Sequence, residues 1–173
     1  MAAPIRVAQW ATGNIGTRAL REVIRDPRLV LVGVLVYDPA KAGVDAGTLC
    51  GEPVAGVTTT VDREVIHGLA VDCVLYMPRT VDVDDLVRLL ERGVDVVTTC
   101  VELFDGGRAL PEADRDRIAE ACVRGDASIF ATGSSPGFIT HVLPQALLML
   151  QRRVDLVEIF EYANMSRRDS PHM

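Results

Sequence analysis

The sequence predicts an α/β protein: a doubly wound parallel sheet with helices on both faces, followed by the start of a truncated second α+β domain. Three observations carry this expectation. Short β-branched or leucine-rich runs alternate with segments of helical period as far as residue 132. The run LVLVGVLVY at residues 29–37 is apolar on both faces, the pattern of a strand covered on both sides. A glycine pair in IRVAQWATGNIGTRAL, residues 5–20, stands where a first strand passes straight into a first helix.

Residues 5–10 read as a short buried strand and residues 14–25 as a helix, with Ile15, Ala19, Leu20, Val23 and Ile24 at helical spacing. Asp26-Pro27 ends that helix, because proline bars its predecessor from the helical region. After the strand at 29–37, residues 38–69 hold a glycine-rich loop, a brief strand near 57–61 and a helical turn begun by Asp62. Strands follow at 71–76, 95–99 and 128–132. Between them lie helices at about 82–92, with Gly93 as its stop, and 112–124, ended by Gly125. Alternation of this kind means right-handed crossovers and a parallel sheet. Residues 138–150 read as an apolar helix with Pro144 in its first turn or at a kink, and 154–164 as another strand. The expected organisation is a dinucleotide-binding domain at 1–137 and, at 138–173, a linker helix and first strand of a truncated second domain; a frayed native terminus is the competing reading.

With 173 residues, 49% of them apolar, the chain suffices for one full core. A formal charge of -6 with scattered basic residues argues against nucleic acid or an anionic membrane as partner, since both need a concentrated positive surface. A small molecule or a protein fits better. No run approaches the roughly 20 apolar residues of a membrane span, and residues 7–11 are too short and too interrupted for a signal peptide. Cys50, Cys73, Cys100 and Cys122 lack the close pairs of a zinc site, and His67 and His141 stand apart, so reduced, mostly buried thiols in a cytoplasm and no metal are expected.

Ala11, Thr12, Gly13, Asn14, Ile15 and Gly16 occupy the strand-to-helix turn that a Rossmann-type dinucleotide fingerprint requires, with Ala11 in place of the first glycine. Gly13 would let the backbone approach a pyrophosphate and Gly16 would let helix and sheet pack closely, though small residues also serve any tight turn. Asp38, about twenty residues later, is the candidate for the adenosine ribose hydroxyls and favours NAD over NADP. The competing use is a turn before Pro39; Tyr37 or Val36 takes the ribose position if the strand is shorter, and Lys41 could reach a phosphate. The ligand crevice of such a sheet lies beyond the strands' carboxyl ends, which draws in Met77 and Pro78, Thr99, and Ser134, Ser135 and Phe138. Glu102 follows a buried strand between Val101 and Leu103, where desolvation would raise its pKa and strengthen its pull on a cation; an ordinary loop carboxylate paired with an arginine competes. Cys100 has no histidine near it in sequence and reads as packing.

RVAQWATGNIG, DPAKAGVDAGTLCG, VVTTCVELF and ATGSSPGFI, in this order and spacing, resemble the dihydrodipicolinate-reductase-like family that includes 2,4-diaminopentanoate dehydrogenase and the native amine dehydrogenases. The resemblance covers nearly the whole chain. It implies a Rossmann domain carrying NAD(P)H, a second domain with an open mixed sheet that closes the substrate pocket and forms a homodimer, and hydride transfer at a C–N centre. Glu102 matches the family's glutamate facing the substrate amine; relatives often have two adjacent glutamates, and here the first is Val101. Ser135 stands where relatives often have asparagine near the nicotinamide, and Asn164 falls where the second domain begins, on the substrate side. A true dihydrodipicolinate reductase resembles EAHHRHKVDAPSG here, whereas this chain has Ala163 and Asn164 for the histidines and Arg167 for the lysine. Alanine moves no proton and a guanidinium stays charged, so that activity, like a non-catalytic dinucleotide-binding module, is the alternative.

Overall fold

The computed structural model describes residues 3–162 and Asn164. The expected replacements at Ala163 and Arg167 lie outside the described residues. Strands β1 (Ile5–Trp10), β2 (Leu29–Leu35), β3 (Thr59–Thr60), β4 (Cys73–Tyr76), β5 (Asp95–Thr98) and β6 (Ile129–Ala131) form one sheet in the order β3-β2-β1-β4-β5-β6. All five pairings are parallel. This is the Rossmann α/β fold, and its strand order reverses between β1 and β4.

Helices α1 (Asn14–Arg25), α2 (Ala46–Cys50), α3 (Arg63–Gly68), α4 (Val83–Glu91) and α5 (Glu112–Gly125) fill the connections, and α6 (Leu143–Leu148) follows β6. The two-residue period of β2 divides the core: Val34 and Val36 pack with Leu20 of α1 and Ala46 and Cys50 of α2, while Leu35 joins Ile66, Leu86, Leu89, Leu90 and Ile118 from α3, α4 and α5 on the other face. Trp10 and Tyr76, side by side at the ends of β1 and β4, are fully buried in that second core. The alternation that places Trp10 on one face sends Gln9 to the other, where its Nε2 donates to the carbonyls of Ala11 (2.8 Å) and Leu75 (3.3 Å).

Four details depart from the sequence reading. The loop after β2 contains a further short helix, α2, begun by Asp45, whose carboxylate accepts the amides of Gly47 and Thr48. Gly125 lies inside α5 rather than ending it: a Cβ there would sit 1.8 Å from the Leu90 carbonyl oxygen, so its smallness serves the approach of α4, and Asp126 takes the left-handed turn at φ 51°. Residues 154–162 form no strand. A strand exists through its ladder, and no described segment pairs with this one, so its apolar side chains, Leu156, Phe160 and Tyr162 among them, are exposed. Pro144 does sit in the first turn of α6, which is shorter than expected because Ser134–Val142 is an irregular helical segment interrupted at Ser135, Pro136 and Gly137.

Candidate functional site

A cleft of 510 Å³ opens beyond the carboxyl ends of β1, β2, β4 and β5, at the point where the strand order reverses. Ala11, Thr12, Gly13, Asn14, Ile15 and Gly16 form its floor, Asp38 one end, and Met77, Pro78 and Thr99 another wall. Ile15, expected in the core face of α1, is exposed here instead. Tyr37, Lys41 and Arg79 also line the cleft. The signal for them was position: Tyr37 and Lys41 flank the Asp38 turn, and Arg79 follows Pro78 past β4.

The two glycines have different surroundings. A Cβ on Gly16 would meet the Ala11 carbonyl oxygen at 2.2 Å, so only glycine allows α1 to start this close to the end of β1. A Cβ on Gly13 would have nothing within 4 Å; the space it would enter is the cleft. Ala11 adopts φ 74°, the left-handed conformation that the missing first glycine would take without strain. The Thr12 carbonyl is held from two sides, by the Thr17 hydroxyl and by Lys41 Nζ, each at 3.0 Å.

The start of α1 is electrically open. Gly13 caps it without any side-chain acceptor, and no acidic residue lies in its first turn. Its amide ends and the positive pole of its dipole therefore face the cleft uncompensated. Lys41 and Arg79 add two cations against one anion, Asp38, in a chain whose formal charge is -6. Arg79 makes no hydrogen bond or ion pair among the described residues. Such a floor suits a phosphate or diphosphate. Asp38 fulfils the competing use and still lines the cleft: its Oδ1 accepts the Ala40 amide at 2.9 Å, capping the 3-10 turn Pro39–Lys41.

Other expected site residues stand apart from this cleft. Glu102 is half-buried in the 3-10 segment Val101–Gly107, three residues past Thr99, and is not among the cleft-lining side chains. The reason is local. Cys100 turns inward, its Sγ donating to the Pro78 carbonyl at 3.4 Å, and the turn that follows carries the chain past the rim. The Glu102 carboxylate has no hydrogen bond or ion pair among the described residues, so the arginine partner of the competing reading is not there. Burial pushes the Cys100 thiol up to about 11, the behaviour of a packed thiol and not of a nucleophile. Ser134 and Ser135 are exposed and do not line the cleft, because the chain leaves the sheet at Gly133 and folds on itself, Phe138 N–H donating to the Gly133 carbonyl at 2.8 Å. Phe138 is 56% exposed, and Asn164 is exposed as well. The segment Ser134–Val142 nevertheless lies against the one bearing Glu102, through an edge-to-face contact of His141 on Phe104 at 4.8 Å. Among the described residues, no three His, Cys, Asp or Glu side chains are grouped to hold a metal, and no helix is long and apolar enough to cross a membrane.

Over 177 aligned residues the chain is 37% identical to an amine dehydrogenase from Streptomyces virginiae, a match covering 96% of this chain and 49% of that protein. The chain is a relative of the amine dehydrogenases. A solved amine dehydrogenase from Mycobacterium smegmatis superposes with a TM-score of 0.71 at 25% identity, covering 87% of this chain and 45% of that one. A biliverdin reductase from Synechocystis, solved with biliverdin and NADP+, shares the fold alone, with a TM-score of 0.60 at 18% identity over 84% of this chain and 43% of that one. No protein-family model matches. The chain spans about half the length of the relatives it matches.

Proposed function

We propose that the chain is the cofactor-binding half of an NAD(P)H-dependent oxidoreductase acting at a C–N bond, an amine dehydrogenase or imine reductase. The observation that carries this reading is the uncapped start of α1 over an open Gly13, in a chain related to amine dehydrogenases. The amides at the head of α1, with Lys41 and Arg79, would hold the diphosphate, and Asp38 the adenosine ribose. The Asp38 carboxylate favours NADH, since it would repel a 2′-phosphate. A bound reduced nicotinamide supplies the hydride.

Glu102 is assigned to the amine. A half-buried carboxylate without a partner of its own attracts an ammonium or iminium group by a charge-assisted hydrogen bond and can take up or return its proton. Residues 138–173 are proposed to begin a substrate-side domain that also pairs two chains, which accounts for the exposed apolar side chains after Gly137 and for the greater length of the relatives. The proposed compartment is the cytoplasm.

Calorimetric titration of the chain with NADH and NADPH tests the cofactor, and NADH or NADPH oxidation by the full-length protein in the presence of a ketone and ammonium tests the reaction. Glu102→Ala is expected to lower turnover ~100-fold or more; activity retained within about tenfold removes Glu102 from the mechanism. A non-catalytic dinucleotide-binding module is the second reading, favoured by Glu102 lying outside the cleft lining. It predicts tight NADH binding with no turnover for any amine, ketone or imine.

A further inference from the structure

Five side chains close a ring beside the ribose end of the cleft. Trp10 Nε1–H donates to the Tyr37 hydroxyl at 3.1 Å. The Arg63 guanidinium lies over the Tyr37 ring, 5.8 Å from its centroid. Arg63 in turn donates to Asp85 at 2.7 Å and to Asp82 at 2.8 Å. The second oxygen of Asp85 meets His67 Nε2 at 3.0 Å, and the His67 ring returns edge-on to Trp10 at 5.4 Å. Trp10, His67 and Asp85 are buried, and His67 Nδ1 has no hydrogen-bond partner among the described residues.

Apolar side chains of equal volume would join β1, β2, α3 and α4 without desolvating a charge or orphaning a nitrogen. What the polar ring achieves in addition is to fix Tyr37, the one member that lines the cleft. Tyr37 is 49% exposed, yet its hydroxyl and its ring are both held before any ligand arrives. It directly precedes Asp38, at the end of β2 where a dinucleotide's adenosine lies in this fold.

We propose that Tyr37 is the preorganised aromatic wall for the adenine base, and that Arg63, Asp85 and His67 are positioning residues that hold it. This rests on the dinucleotide reading of the cleft. Arg63 has its charge divided between Asp82 and Asp85, so it is committed to the tyrosine and not to a phosphate on the ribose. The ring therefore reads the base, by shape and stacking.

The test is calorimetric titration of the full chain with NADH and with ADP, which carries the adenosine and diphosphate alone. Tyr37→Ala is expected to weaken both about tenfold, the size of one lost base–aromatic stack. Tyr37→Phe keeps the ring and loses only the Trp10 hydrogen bond, so about threefold is expected. Arg63→Gln, away from the cleft lining, weakens both ligands as well, and Arg63→Lys, which restores a cation between the two aspartates, recovers part of the loss. Thermal midpoints of the Tyr37 variants should stay within a few degrees of the parent, which separates loss of the wall from loss of the fold. Tyr37→Ala binding both ligands within twofold of the parent overturns the proposal, as does a loss confined to NADH with ADP unchanged. A parent chain that binds neither NADH nor NADPH overturns the cleft reading itself, and this proposal with it.

Discussion

Helices α2, α3 and α4 begin differently from α1. Asp45, Asp62 and Asp82 each stand at the head of their helix and accept its first free amides. Gly13 accepts none. Helix α5 is intermediate, uncapped but with Glu112 and Asp114 in its first turn. An N-terminal turn left without an acceptor lowers the stability of its helix by about 1 kcal/mol, and this chain supplies carboxylates freely elsewhere. The difference teaches where an external anion is expected: at the one of these five starts that the chain's own acids leave open.

The comparison is first broken at Gly16. Replacing it with alanine drives a Cβ toward the Ala11 carbonyl oxygen, and both atoms belong to rigid backbone. The expected loss is about 3 kcal/mol of stability, at the upper end of overpacking costs, read as a lower urea midpoint with dinucleotide binding weakened in proportion to the unfolded fraction. Gly13→Asp makes α1 resemble its neighbours. The new carboxylate caps the helix, so stability should hold or rise by a few tenths of a kcal/mol, while a negative group now occupies the proposed phosphate position. NADH affinity is expected to fall ~100-fold or more, about 2.7 kcal/mol. Calorimetry and thermal denaturation on the same variant decide it: unchanged NADH binding by a folded Gly13→Asp protein would remove α1 from the cofactor site.

How much of this was legible beforehand follows the range of the forces involved. The strand-to-helix turn, the β2 strand, the Asp62 start and the parallel order of the sheet are written in local pattern and in crossover handedness, and the structure shows each of them, although β2 ends at Leu35 and is buried only from Gly33 onward. Helix α2 was hidden because five residues, two of them Gly47 and Thr48, carry too little periodicity; Asp45 was its only signal. The strand expected at 154–164 failed for the opposite reason, since its pattern is clear but a strand is a property of two segments and the described chain offers no second one. Glu102 shows the limit for the site. The end of β5 could be read from sequence, but not the inward turn of Cys100 that takes Glu102 away from the cleft lining. The ring around Tyr37 joins residues up to 75 positions apart, Trp10 to Asp85, and no local pattern announces it.

Among the three capping acids, Asp82 alone also holds a side-chain cation among the described residues, accepting two amides of α4 and the Arg63 guanidinium. Burial alone would raise its pKa, but the Arg63 hydrogen bond and the amides of Asp85 and Asp84 outweigh it and hold the carboxyl below its usual value. Asp72, beside Arg6, is likewise held down to about 2. Folded values below unfolded ones mean that these carboxylates stabilise the fold fully above about pH 4, the unfolded range, and that the contribution disappears as pH falls through the folded values. Asp82→Ala should therefore cost about 1–2 kcal/mol at neutral pH and flatten the acid limb of a plot of stability against pH. An acid limb as steep as the parent's would assign that limb to other carboxylates, Asp72 first.

The smallest effect is expected at Ala11, where the comparison is between the chain and the glycine it lacks. At φ 74° a Cβ strains the backbone by roughly 1–2 kcal/mol, so Ala11→Gly relieves strain in the folded state. The same change gives the unfolded chain more freedom, worth about 0.5–1 kcal/mol in the opposite direction. The two nearly cancel, and a net stabilisation of no more than about 1 kcal/mol is expected, measured by urea denaturation. NADH affinity should stay within twofold, because the turn already has the conformation glycine would choose and the amides at the head of α1 do not move. A large gain in affinity would mean that the alanine holds the turn away from its binding geometry, and that the left-handed backbone at this position is a compromise the ligand must correct.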